Sequence, residues 1–223
     1  GNAVVVELKR DRTPRDTLAQ ALEYASFVED LSYSQLEELW HEYSSEEGSL
    51  SDYHGQFFDL EEGEAVSFNK DQRIVIVGHG ITPEIRQTSS YLGKKGLGVT
   101  VHTGESGPVE EVAQVIRHLE PDRLGHGVKS AYDEKTMGML RERGITLELC
   151  PTSTLNSRVV GSWDEFAWIF ETFEKNRVRY TINTDGPEML KTYSRDELAS
   201  LARHGILSVE QQEQAAEWAR EAS

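Results

Sequence analysis

Cysteine is almost missing from this chain. Cys150 is its single one, which excludes an internal disulfide framework and suits a reducing cytosol, so a cytoplasmic location is expected. No apolar run approaches the roughly 20 residues that a membrane span needs, so no membrane role is expected. The start, Gly1-Asn2-Ala3-Val4, has no basic region and no signal-peptide pattern. A strand begins almost at once, as though an upstream part were cut away. No two of the seven histidines stand as a His-x-His pair. Lys and Arg are absent from Glu29 to Glu64, a stretch that holds 12 acids. The remaining 27 acids face 23 bases, so most of the net charge of −16 sits in that one segment. Such a stretch repels phosphate backbones and argues against nucleic acid as a partner.

What is present fits a folded α/β protein. Apolar residues make up 37% of the 223 positions and aromatics 9%, enough to bury a core. Val4-Val5-Val6-Glu7-Leu8 is β-branched and reads as a strand. Thr13-Pro14-Arg15-Asp16 supplies an N-cap signal, and Leu18, Ala21, Leu22, Ala25 and Val28 follow at helical spacing. Ser34-Gln35-Leu36-Glu37 reads as a capping box for a second helix. The polar, acidic run from Tyr43 to Asn69 reads as a loop, linker or excursion from the fold.

From Arg73 the rhythm is regular. Strands are expected at Ile74–Val77, Val99–Val101, Arg123–Leu124, Ile145–Leu149 and Val178–Ile182, each followed by a helix. Capping boxes at Ser194-Arg195-Asp196-Glu197 and Ser208-Val209-Glu210-Gln211 open two final helices. With the leading strand this makes six βα units, fewer than the eight of a closed (β/α)8 barrel. The count implies an open sheet, an incomplete barrel, or a barrel completed by another chain.

Three short motifs end three of these strands: Val101-His102-Thr103-Gly104-Glu105, Leu124-Gly125-His126-Gly127 and Asn183-Thr184-Asp185. Parallel α/β folds build their sites at that edge of the sheet. Imidazoles and carboxylates gathered there suit a metal-activated water, with a carboxylic acid moving protons. His126 lies between two glycines, so backbone can approach a ligand closely.

These motifs, with Leu149-Cys150-Pro151-Thr152-Ser153, resemble the adenosine deaminase family of metal-dependent amidohydrolases, in family order, from about Leu97 to the C-terminus. The resemblance implies that residues 97–223 are the C-terminal (βα)4 half of a barrel. It implies replacement of a purine C6 amino group by oxygen with release of ammonia, on a purine nucleoside or base. It makes His102 and Asp185 zinc ligands, Glu105 the acid/base at the purine N1, and His126 the group that orients the attacking hydroxide. Two departures stand out. The family's Asp-Asp pair is Asp185-Gly186 here. Its early His-x-His, two of the zinc ligands, has no counterpart, so one zinc ion is expected to bind weakly or not at all. His79, in Gly78-His79-Gly80, is a candidate substitute ligand. Cys150 reads as a small buried strand-end residue, and Trp163, Phe166, Trp168, Phe170 and Phe173 as a helix packing face.

The first part suggests another relative. Glu7-Leu8-Lys9 at a strand end, followed by Gln20-Ala21-Leu22-Glu23-Tyr24 in a helix, resembles PD-(D/E)xK nucleases. There the acid binds magnesium and the lysine stabilises phosphate charge. On this reading residues 1–96, with the acidic 29–64 segment, form a nuclease-like α/β fragment. They join the incomplete barrel-like half near Gly96 as a mosaic with one continuous sheet. Three functions stay open: an impaired zinc-dependent purine deaminase, an inactive folded chimera, and a magnesium-dependent nuclease remnant using Glu7, Lys9 and Gln20. Exposed sheet edges also imply self-association.

Overall fold

The computed structural model describes residues 3–8, 17–44, 48–58, 67–70, 72–77 and 81–222. They fall into two compact units, Gly1–Thr82 and Pro83–Ser223. The N-cap signal at Thr13 and the candidates Lys9 and His79 lie outside the described residues.

In the first unit, strand β1 (Ala3–Leu8) pairs in parallel with β2 (Gln72–Val77), in register from Ala3 opposite Gln72 to Leu8 opposite Val77. A parallel pair needs a long crossover. It runs through α1 (Thr17–Glu29), α2 (Tyr33–Tyr43) and α3 (Leu50–Phe58). Helix α1 packs on both strands, with Ala21 and Ala25 buried in it and Val5 buried on β1. The Asn69 side chain donates to Val28 O at 2.7 Å and Leu31 O at 3.2 Å, tying the approach to β2 to the end of α1. Gln20 lies half-buried on α1, and Glu7 lies within β1.

Two expectations are corrected in this unit. The box that opens α2 is Ser32 with Gln35, whose Oε1 accepts from Ser32 N–H at 3.0 Å; it is not Ser34 with Glu37. The polar run after Tyr43 also contains a helix, α3. Its apolar Leu50, Tyr53 and Phe57 recur at helical spacing within an acidic, glycine-bearing segment that masks them. Trp40 of α2 rests on Tyr53 of α3 with ring centroids 4.6 Å apart.

The second unit opens with α4 (Pro83–Lys94) and then alternates regularly. Strands β3 (Thr100–Thr103), β4 (Arg123–His126), β5 (Thr146–Leu149) and β6 (Arg179–Ile182) form one parallel sheet in that order. The helices between them are α5 (Val109–Leu119), α6 (Glu134–Arg143), α7 (Pro151–Asn156) and α8 (Trp163–Asn176). After β6 come α9 (Pro187–Leu190), α10 (Ser194–Arg203) and α11 (Val209–Glu221), the last packed on β6. Six strands are described, as the βα count implies. Among the described residues they pair as two sheets, β1 with β2 and β3 to β6, where a single sheet was expected. Alternation along a chain indicates parallel strands but does not say which strands are neighbours.

Leu124, Leu147 and Leu149 of the sheet are buried against Ile116, Leu140, Phe166, Phe170 and Phe173. Phe170 meets Tyr180 edge-on at 5.1 Å. The fully buried Tyr180 donates its hydroxyl to Glu174 at 2.5 Å, so the ring enters the core without stranding a polar group. On α8 the packing face is Phe166, Phe170 and Phe173, while Trp168 is exposed. Asp133 caps α6 through Thr136 N–H at 2.8 Å, and left-handed Gly144 closes it. Ser162 caps α8.

Candidate functional site

Because the four strands of the second unit are parallel, their C-terminal ends share one edge of the sheet. His102 and Thr103 end β3, and His126 ends β4 directly opposite Thr103. The loops beyond these strands interlock. Gly127 N–H donates to Thr103 O at 2.8 Å, and Lys129 N–H donates to Gly104 O at 2.9 Å. Gly104 has φ +71°, and a Cβ there would press on Val112 and on the backbone of Gly127. Only glycine lets the two loops meet this closely. A Cβ on Gly125 would run into the His102 ring, so that glycine leaves the imidazole its place over β4.

This packing gathers three chemical groups. The His102 and His126 rings stand nearly perpendicular, 83° apart in plane, with centroids 5.3 Å apart. His126 Nε2 lies 3.8 Å from Glu105 Oε2. That is longer than a hydrogen bond, yet near enough for proton exchange once a ligand draws the groups together. His102 is exposed, whereas His126 is only 3% exposed. His126 leaves β4 through left-handed backbone at φ +63°, and its buried Nδ1 has no hydrogen-bond partner among the described residues. Strained backbone and an unpaired buried nitrogen are costly, and both concentrate where a ligand is meant to bind.

A second group forms at the ends of β5 and β6. Asp185 also takes left-handed backbone, φ +63°. Its Oδ2 accepts from Ser153 Oγ at 2.6 Å, while the nearby Cys150 thiol donates to Glu148 O at 3.5 Å. Burial pushes that thiol up to about 12, helped by the charges of Asp185, Glu197 and Glu148. Cys150 is therefore a protonated, buried strand-end thiol, not a nucleophile. Glu197 of α10 is fully buried. Its Oε2 accepts from Thr152 N–H at 3.1 Å and its Oε1 from Thr192 Oγ1 at 3.1 Å. Burial raises its pKa, while the bonds from Thr152 and Thr192 pull the other way. The sequence pattern makes Glu197 a capping-box acid, but Asp196 makes the cap, accepting from Tyr193 N–H at 3.0 Å. Glu197 was thus missed as a site-adjacent residue. The apolar Leu198 and Leu201 beside it were the available signal that this face of α10 turns inward.

The donor types suit zinc: imidazole from His102 and carboxylate from Asp185. The number falls short, because among the described residues no group of three or more His, Cys, Asp or Glu side chains could hold a metal ion. A catalytic zinc uses three protein ligands plus water. These residues by themselves do not fit the ion. Beside Glu105, a groove of 450 Å³ is lined by Ser106, Pro108, Lys129, Tyr132 and Glu165. Its polar groups bond to the protein: Tyr132 donates to Glu165 at 2.5 Å and Lys129 to Val159 O at 3.2 Å. Among the described residues no helix is long and apolar enough to cross a membrane.

A family model for adenosine deaminase matches residues 61–223. An adenosine deaminase of Clostridium botulinum is 35% identical over 115 residues, covering 52% of this chain and 34% of that protein. The N6-methyl-AMP deaminase of Arabidopsis thaliana superposes with a TM-score of 0.62 at 17% identity, covering all of this chain and 53% of that one. An amidohydrolase of Burkholderia ambifaria with bound Zn gives a TM-score of 0.56 at 18% identity, covering 70% and 45%. At such identities these two likenesses concern the fold. The chain spans about a third of the curated relative and about half of the solved ones. The family match crosses residues 61–96, part of the stretch assigned above to a nuclease-like fragment; the comparisons support neither that fragment nor a mosaic. With its motifs in order at one sheet edge, the chain belongs to the adenosine deaminase family.

Proposed function

We propose that this chain carries the proton-transfer part of a hydrolytic deaminase acting on a 6-aminopurine. The approach of Glu105 to His126, 3.8 Å apart beside the His102 ring, carries the reading. In the reaction a water oxygen bonds to purine C6 and N1 gains a proton. The C6 amino group then takes a second proton and leaves as ammonia, so the product is a 6-oxopurine. Glu105 is suited to deliver the proton to N1, since a carboxyl group within reach of the ring can both give and recover it. His126 is suited to orient the water: its ring is held by β4, and it faces Glu105. The substrate class follows the family and the names of the relatives, adenosine and N6-methyl-AMP among them. Zinc dependence is a further part of the proposal. His102 and Asp185 are its donors, and the ion would need at least one more. No step of the reaction is assigned to the metal.

The test is an absorbance assay for conversion of adenosine, adenine, AMP and N6-methyl-AMP to their 6-oxo products, run beside elemental analysis for zinc. Turnover of at least one of them is expected, with ammonia (methylamine from the methylated substrate) released in equal amount. Absence of turnover on all four in zinc-loaded protein would overturn the reading.

A further inference from the structure

Glu197 is fully buried and lies on α10. Its two carboxylate oxygens bind two different loops. Oε2 takes the Thr152 N–H at the start of α7, and Oε1 takes the Thr192 hydroxyl beyond α9. Cys150 precedes α7 and Ser153 lies in its first turn; Asp185 and Thr192 flank α9 in the connection from β6 to α10. Those two connections are also joined directly, by the Ser153 hydroxyl on Asp185 at 2.6 Å. We infer that Glu197 is a positioning residue: its carboxylate clasps the β5 and β6 loops together and thereby sets the place of the Asp185 carboxylate.

The chemistry favours this over a filler role. A fully buried carboxyl group is costly unless both oxygens are engaged, and here both are, one by each loop. Asp185 is in left-handed backbone, which costs a non-glycine residue some free energy, less for Asp than for most. The bond from Ser153 holds the Asp185 side chain, and Glu197 holds the residue before Ser153 through the Thr152 N–H. The working role of Asp185 rests on the proposed function; the clasp and its test do not.

Cys150 makes the test clean, because it is the single thiol and is buried at the end of β5, three residues before Ser153. A reagent reaches that sulfur only when the joint opens. The rate of alkylation by iodoacetamide would be measured at pH 8 on the intact chain, without substrate or added metal, for wild type, Glu197→Met, Glu197→Gln and Thr192→Val. A Leu140→Ala control, remote on α6, supplies a general loss of stability for comparison. Glu197→Met loses both bonds, and labelling at least about tenfold faster than in a control of equal melting temperature is expected. Glu197→Gln should return most of the protection, since its carbonyl can accept from Thr152 N–H while its amide donates to the Thr192 hydroxyl. Thr192→Val, which opens only one side, should fall between and serves if the Met variant does not fold. Labelling of Glu197→Met or Thr192→Val no faster than the stability-matched control, or a Gln variant as reactive as the Met variant, would overturn the inference.

Discussion

Ser153, in α7 just after β5, donates its hydroxyl to the Oδ2 of Asp185, just after β6, at 2.6 Å. The bond bridges β5 and β6 at the end of the sheet where His126 and Glu105 meet. It joins a strained aspartate to a loop pinned from beneath by Glu197. Replacing Ser153 by Ala strands the carboxylate's partner side and is expected to cost about 1.5–3 kcal/mol, the range for a hydrogen bond to a charged group. Urea unfolding of the variant measures it, and a midpoint equal to wild type would contradict it.

The interlock of Gly104 with Gly127 predicts a backbone effect. Gly104→Ala places a methyl against Val112 at a φ of +71°. A loss of about 1–3 kcal/mol is expected from the combined strain and clash. Thermal melting reads it, and the His102–His126 geometry should be disturbed in the same variant, seen as altered imidazole chemical shifts.

Phe166, Phe170 and Phe173 of α8 are buried in the core. Phe170 is 1% exposed and packs against Phe166 and Tyr180. Phe170→Ala should lose about 3–5 kcal/mol, transfer plus cavity. A denaturant midpoint shift under a third of that size would show that the site collapses to fill the gap.

Glu197 also sets a pH dependence. Burial raises its folded pKa above the unfolded value, so the neutral form favours the fold. Its contribution is fully present below the unfolded value of about 4.3 and is lost as pH rises through the higher folded value. Glu197→Gln removes the titration. Compared with wild type, the Gln variant should lose less stability between pH 4 and pH 8, read as melting temperature against pH. A parallel pair of curves would contradict this.

Much of the fold was legible. The capping box at Ser208 marked the start of α11, and the strand runs from Val99 onward matched β3 to β6, because local signals there agree with the tertiary structure. The motifs also located the sheet edge that carries His102, His126 and Asp185. Three features were not legible. Sheet partnership is a long-range property, so two sheets replaced the expected single one. Helix α3 hid in an acidic segment whose composition resembles a loop. Glu197 was misplaced by one residue of helical register, since Asp196 and Glu197 both fit a capping pattern. A step of one residue turns a side chain by about 100° around the helix, from the solvent cap to the core. The left-handed backbone of His126 and Asp185 has no sequence mark of its own beyond the glycines beside them.

The most direct test of the account is the rate of ammonia release from a 6-aminopurine by Glu105→Gln, compared with wild type at equal metal content and equal melting temperature. The carboxamide keeps the shape of Glu105 and its distance from His126 but cannot deliver a proton. The account predicts a fall in kcat of about 100-fold or more, the usual contribution of a positioned acid/base, with KM little changed. A Gln variant that turns over within twofold of wild type would contradict it.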